Sequence, residues 1–306
     1  MGDGREFDAI RSMLAQWGSR AIGIGDDAAV LVVPTDEQLV VSTDASVEGV
    51  HFRREWMSPA EIGERAASAA LSDLAAMAAT PVGLLLAIVV PERWEGDLPA
   101  LARGVGAAST GARCPIVGGN LSRGTELSLT ITVLGSARTP LGRAGAHAGD
   151  RLFVTGRLGG PGAAVRAYLA GRAPALADRA RFVAPIPRLD EARWLADHGT
   201  AAAIDISDGL LADAAHLARA SGVTVAIDID AVPRVKGVTA DEAAASGEEY
   251  ELIVAVPEGA QLDPAAFART FGISLTAIGR ARPAGAVPVL LEGRGITAPR
   301  GHDHLR

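Results

Sequence analysis

Gly135-Ser-Ala-Arg-Thr-Pro-Leu-Gly-Arg-Ala-Gly-Ala-His-Ala-Gly-Asp150 lies near the middle of the chain and decides how the rest of it is read. The stretch is rich in turn formers and has neither helix nor strand periodicity, the character of a connection between domains. At 306 residues the chain is long for one hydrophobic core, which stops growing at roughly 250–300 residues. Two domains are therefore expected, over residues 1–137 and 148–306.

Before the connection, strand-like runs at Leu39–Ser42, Leu84–Val90, Pro115–Val117 and Leu127–Leu134 alternate with two helical stretches. Leu127, Leu129, Ile131 and Val133 alternate with Ser128, Thr130 and Thr132, the pattern of a half-buried strand. The first helix starts clearly, with Ser58 as cap, Pro59 in the first helical position and Glu61 completing a capping box. It is expected to run to about Ala79, stopped by Pro81. After the connection, Arg151–Thr155, Ala202–Ile206, Thr224–Ile229 and Glu251–Val256 read as strands, with helices near Pro161–Ala170, Leu189–His198 and Gly209–Ala220. The fold class expected is α+β: two α/β domains, each a sheet with helices.

Composition excludes several functions. A formal net charge of -7 argues against a nucleic-acid binder, whose affinity comes mainly from basic side chains, and suits a site that holds cations. The single cysteine, Cys114, rules out an intramolecular disulfide and fits a reducing cytoplasm. Asp3, Arg5, Glu6 and Asp8 interrupt the first turns, so Met1–Gln16 lacks the apolar core of a signal peptide. The longest aliphatic run, Val82–Val90, is far short of the about 20 residues that cross a bilayer, and no membrane insertion is expected. The only lysine is Lys236, outside any Gly-Lys-Ser/Thr loop. Any ATP must then be held by metal ions, arginines and backbone amides.

Five short motifs place acids or glycines where strands meet loops or helices: Gly23–Asp27, Ser42–Asp44, Ser72–Asp73, Gly118–Asn120 and Asp205–Gly209. Asp26 and Asp27 follow a glycine turn, where carboxylates also serve as plain turn caps. Asp73 sits in a helix that is Ala-rich or apolar on nearly every side, where an ionised carboxylate is costly unless paired, hydrogen-bonded or on a metal. Ser207 or Asp208 can cap the helix that follows, but capping leaves Asp205 unexplained. Taken together, acids at loop positions in both domains suit several hard cations such as Mg²⁺, which prefers oxygen ligands shared with phosphates. No His/Cys set with zinc spacing competes. The glycine-rich Thr155–Gly162, before a helix, could offer amides to an anion.

The order and spacing of these motifs resemble the thiamine-monophosphate kinase family, which shares its fold with aminoimidazole ribonucleotide synthetase and selenophosphate synthetase. The resemblance covers nearly the whole chain: residues 23–30, 42–52, 71–77, 117–120, 205–210, Gly-Glu-Glu-Tyr-Glu-Leu at 247–252 and Gly-His-Asp-His at 301–304. It implies ATP and thiamine monophosphate as substrates, Mg²⁺ as cofactor, thiamine diphosphate as product, and a homodimer whose core is the N-terminal sheet. It further implies a C-terminal sheet covered by helices and an active site in the cleft between the domains. By resemblance, Asp27, Ser42, Thr43, Asp44, Asp73, Asn120, Asp205 and Asp208 are metal ligands; Gly118, Gly119, Arg143 and Ser207 contact ATP; and His51, Glu248 and His302 contact the second substrate. No side chain is expected to act as a general base, because a phosphate monoester has a second pKa of about 6 and is mostly dianionic at neutral pH.

Three positions depart from the family pattern. Asn120 stands where an aspartate is common, Glu249 where a shorter aspartate is usual, and His302 where an aromatic ring tends to lie. A same-fold enzyme with another substrate, such as an aminoimidazole ribonucleotide synthetase, and a non-catalytic nucleotide-binding protein are the alternatives. Retention of the other acids argues against the second.

Overall fold

The structure, a computed structural model, describes residues 4–293 and the strand residues 295–296. The chain divides into two compact units. One holds the chain up to Leu74, Ala79–Pro140 and Val183–Pro187; the other holds Ala75–Ala78, Leu141–Phe182 and the chain from Arg188 onward.

The first unit runs α1 (Arg5–Trp17), β1 (Gln38–Val47), α2 (Pro59–Ala76), β2 (Thr80–Val90), α3 (Leu98–Gly111), β3 (Ile116–Arg123) and β4 (Ser128–Ala137). Its sheet has the order β1-β4-β2-β3, with β2 and β3 parallel and the other pairs antiparallel. Alternation buries Leu84, Leu86 and Ile88 of β2 with Leu129, Ile131 and Val133 of β4 on one face. On the other face Leu39 and Val41 of β1 and Val89 of β2 are exposed. The capping box forms as expected: Ser58 N–H donates to Glu61 Oε2 (2.8 Å) and Glu61 N–H to Ser58 Oγ (3.3 Å). The helix stops at Ala76 rather than Ala79, because Ala78 turns left-handed (φ 52°) and Ala79 N–H reaches back to the Leu74 carbonyl (2.9 Å), closing the end. Helices α2 and α3 pack closely enough that a Cβ on Gly104 would lie 1.8 Å from the Ala60 carbonyl oxygen.

Two strands outrun their sequence signals. The expected Leu39–Ser42 continues to Val47 because 44–47 pair in register with 128–131; tertiary pairing overrides the weak strand propensity of Asp-Ala-Ser. Pro115–Val117 likewise becomes Ile116–Arg123 through its parallel pairing with β2. The Ser-Thr-Asp and Gly-Gly-Asn motifs thus lie inside strands rather than at their ends.

The second unit contains β5 (Arg151–Thr155), α4 (Gly160–Leu169), α5 (Leu176–Val183), α6 (Leu189–Asp197), β6 (Ala202–Asp205), α7 (Leu210–Ser221), β7 (Val223–Ile227), α8 (Ala240–Ala244), β8 (Leu252–Val256), α9 (Pro264–Phe271), β9 (Leu275–Pro283), β10 (Val289–Leu291) and β11 (Gly295–Ile296). The sheet order is β11-β10-β7-β9-β5-β8-β6. Every residue of β6, β7 and β8 is buried, the mark of strands covered on both faces. Leu210, Leu211, Ala214 and Leu217 of α7 pack into one core with Leu152, Val154, Ile204 and Ile253. Strand β9, which crosses the sheet between β5 and β7, had no counterpart among the sequence expectations.

Candidate active-site residues

In the first unit, strand alternation separates the Ser-Thr-Asp motif. Ser42 and Asp44 pair with the buried Val133 and Ile131 and share the helix-covered face. Ser42 Oγ donates to Asp73 Oδ2 of α2 at 2.5 Å, so the helical carboxylate expected to need a partner has one on β1. Thr43 is exposed on the opposite face, its Oγ1 3.1 Å from Thr132 Oγ1. Asp26 and Asp27 are exposed in an irregular segment ahead of β1. Asn120 is exposed and its Nδ2 donates to Ser122 Oγ (2.9 Å), two residues along β3. A Cβ on Gly119 would lie 2.0 Å from the Leu86 carbonyl oxygen, so close approach of β3 to β2 already requires this glycine; Gly118 is less confined, with Leu85 3.3 Å from its Cβ position.

His51 follows β1 in a turn held by Gly49 N–H to Phe52 O (2.8 Å) and His51 N–H to Val47 O (2.9 Å). Val47 N–H donates to His51 Nδ1 (3.1 Å). An Nδ1 that accepts leaves the ring proton on Nε2, which makes that nitrogen a donor.

In the second unit, two loops form one platform. Ile206 N–H donates to Glu251 O (2.8 Å), Glu248 N–H to Ser207 O (2.6 Å), and Glu249 and Tyr250 N–H to Ile206 O (3.0 and 2.9 Å). The segment carrying Asp205, Ser207 and Asp208 is thereby stitched to the one carrying Glu248. Glu248 and Tyr250 have left-handed backbones (φ 62° and 51°), a conformation that costs about 1–2 kcal/mol per non-glycine residue and clusters at functional sites.

Sequence reasoning missed Asp213. Its Oδ2 accepts from the N–H groups of Ser207, Asp208 and Gly209, each at 3.1 Å. The loop's own amides are therefore occupied from inside. Burial first, then the charges of Asp205 and Asp208, push the Asp213 carboxyl up to about 7. The available signal was an acid four residues after Gly209, in the apolar stripe of α7. The glycine-rich Thr155–Gly162 is also filled internally: Gly159 N–H donates to Glu249 Oε1 (2.6 Å) and Gly162 N–H to Ser246 Oγ (3.0 Å). Arg188 grips Glu251 with two bonds, Nε to Oε2 (2.8 Å) and Nη2 to Oε1 (2.6 Å). Arg143 is exposed, its carbonyl accepting from Ser221 Oγ (2.8 Å). His302 lies outside the described residues.

Among the described residues, no group of three or more His, Cys, Asp or Glu side chains is gathered closely enough to hold a metal ion by itself. The donor chemistry nonetheless fits Mg²⁺. The donors are oxygens, and the charges of Asp205 and Asp208 that help to raise Asp213 are negative charge that a cation would offset. Magnesium is ordinarily held by one or two carboxylates, with water and substrate phosphates completing the shell.

Residues 25–137 match the AIR synthase related protein, N-terminal domain family, and residues 147–290 the corresponding C-terminal domain family. The protein thus has two AIR synthase-type domains of mixed α/β structure. HypE of Escherichia coli has the same fold, at 20% identity and a TM-score of 0.77 over 97% of each chain. Thiamine-monophosphate kinase of Salmonella typhimurium is 36% identical over 270 residues, 83% of this chain and 81% of that protein. The enzyme of that name from Synechococcus elongatus is 36% identical over 92% and 91% of the two chains. The thiamine-monophosphate kinase structure from Stenotrophomonas maltophilia superposes with a TM-score of 0.82 at 33% identity, covering 97% of this chain and 98% of that one. AaThiL complexed with AMPPCP and TMP superposes with a TM-score of 0.80 at 30% identity, covering 97% and 95%. The chain is an enzyme of the thiamine-monophosphate kinase family.

Proposed function

We propose that the protein transfers the γ-phosphoryl group of ATP directly to the phosphate of thiamine monophosphate, giving ADP and thiamine diphosphate. The observation that carries this reading is the near full-length likeness to AaThiL complexed with AMPPCP and TMP. The acceptor phosphate is mostly dianionic at neutral pH, so no side chain has to take a proton. The difficulty is bringing two polyanions together in line. Mg²⁺, when bound, supplies charge neutralisation and alignment. In this reading Ser42, Asp44 and Asp73 offer oxygens from the N-terminal domain, 1–137, with Asp27 and Asn120 as further ligands and Thr43, on the opposite face of β1, as a ligand apart from that group. Asp205 and Asp208 offer theirs from the C-terminal domain, 148–306.

Gly118, Gly119, Arg143 and Ser207 contact the nucleotide. His51 donates from Nε2 to the acceptor phosphate, while Glu248 and His302 contact the thiamine moiety. The exposed apolar face of β1, with Leu39 at 53% and Val41 at 54% exposure, supports a homodimer built on the N-terminal sheet. A cytoplasmic site of action suits ATP as substrate and a lone thiol, Cys114, that is buried and pushed up to about 12 by that burial.

The test is incubation of the purified protein with ATP, Mg²⁺ and thiamine monophosphate. Thiamine diphosphate should form, and chelation should abolish it. ATP binding without turnover would make the chain a nucleotide-binding protein instead.

A further inference from the structure

The amides at the start of α4 are where an incoming phosphate would be sought in a glycine-rich turn, yet the protein fills that place itself. Glu249 is 5% exposed. Its Oε1 accepts from Gly159 N–H (2.6 Å) and from Ser246 Oγ (2.5 Å), and its Oε2 lies 3.3 Å from Arg181 Nη2. Ser246 in turn accepts from Gly162 N–H (3.0 Å). The carboxylate therefore fastens the Gly247–Tyr250 segment to the turn before α4. The two residues beside it, Glu248 and Tyr250, are the ones with left-handed backbones (φ 62° and 51°). Such conformations persist only where the surroundings over-determine them.

We infer that Glu249 is a positioning residue for the second substrate: by anchoring the strained turn to Gly159 and Ser246, it fixes the direction in which Glu248 is presented. The inference rests on the reading of Glu248 as a substrate contact. Ser207 accepts from Glu248 N–H (2.6 Å) and holds the same turn from the other side, so loss of the Glu249 anchor tilts Glu248 without unfolding the platform. Binding of thiamine monophosphate should weaken while ATP binding changes little, since none of the groups touching Glu249 is assigned to the nucleotide.

A double-mutant cycle on the full chain tests this, with E249Q, E248A and the double variant assayed for KM of each substrate and for kcat. E249Q keeps the shape but turns one of the two acceptor oxygens into an NH2 donor, which must then face either Gly159 N–H or Arg181 Nη2; circular dichroism and the unfolding midpoint establish that each variant is folded. The expected result is a KM for thiamine monophosphate raised about tenfold by E249Q, KM for ATP within about twofold, and no further rise from E249Q when E248A is already present. An equal rise in both backgrounds, or equal changes in both KM values, overturns the inference while leaving Glu248 as a contact. If E248A alone leaves KM unchanged, the reading of Glu248 fails, and the inference falls with it. If E249Q does not fold, S246A, which removes one anchor and keeps the carboxylate, replaces it in the same cycle with the same expected and overturning outcomes.

Discussion

Ser42 on β1 donates its hydroxyl hydrogen to Asp73 on α2 across 2.5 Å. A helix and the edge strand of the sheet beneath it thus present two oxygen donors at one place, and Asp44 follows on the same strand face. If these groups serve a cation, D73N should lower the rate at fixed low Mg²⁺ by about 10–100-fold, and S42A by less, with part of the loss recovered at high Mg²⁺. A Mg²⁺ titration of initial rates measures this; overlapping titration curves would remove Asp73 from the metal site.

Asp213 secures the Ser207–Gly209 amides. D213A strands three N–H groups beside a buried helix start, and each buried unsatisfied group costs about 1–3 kcal/mol, less where water enters. A lower unfolding midpoint in urea is expected, together with a higher Mg²⁺ requirement as Asp208 loses its fixed direction. A midpoint unmoved by the substitution would mean the three bonds contribute nothing net.

For His51, replacement by alanine should raise KM for thiamine monophosphate about tenfold with kcat changed much less. The reason is that Val47 N–H occupies Nδ1 and leaves Nε2 as the donor. An unchanged KM refutes the role.

Glu249 also fixes a pH dependence of stability. Burial, only partly offset by Ser246, Gly159 and Arg181, and with Glu251 adding repulsion, pushes its carboxyl from 4.5 up to about 7. Between those two values the folded state binds more protons than the unfolded state, so this group makes stability fall as pH rises through the window and level off above it. Asp213, raised from 3.8 to about 7, acts in the same direction. Urea unfolding of the metal-free protein across pH 5–8 should show a flatter decline in E249Q than in wild type; parallel curves would contradict the raised value.

Gly119 admits no side chain, since its Cβ position is 2.0 Å from the Leu86 carbonyl oxygen. G119A should destabilise the protein by about 1–3 kcal/mol, the usual range for overpacking, visible as a lower melting temperature even without nucleotide. An unaltered melting temperature with weakened ATP binding would mean the glycine serves only the ligand.

Part of the candidate site's local chemistry could be read from residue order. Asp73 declared itself because an acid in an Ala-rich helix demands a partner, and the capping box at Ser58 and Glu61 follows from local chemistry alone. The Ser-Thr-Asp and Gly-Gly-Asn motifs were recognisable, but their setting was not: whether a polar tripeptide ends a strand or continues it depends on a partner strand far away in sequence. Asp213 and Glu249 escaped as anchors for the same reason, since their partners are amides whose direction exists only once the loops are folded.

By itself the sequence determined the two sheet-and-helix domains, the family, the absence of a lysine-based phosphate loop and the identity of the acids, because these depend on composition, local periodicity and motif order. Only the tertiary structure decided which acids share a face. It put Ser42 and Asp44 on one face of β1, with Ser42 bonded to Asp73, while turning Thr43 away, and it met the amides ahead of both α4 and α7 with the protein's own carboxylates. The physical reason is that side-chain direction in a strand reverses at every residue, and a buried carboxylate chooses its hydrogen-bond donors across space rather than along the chain.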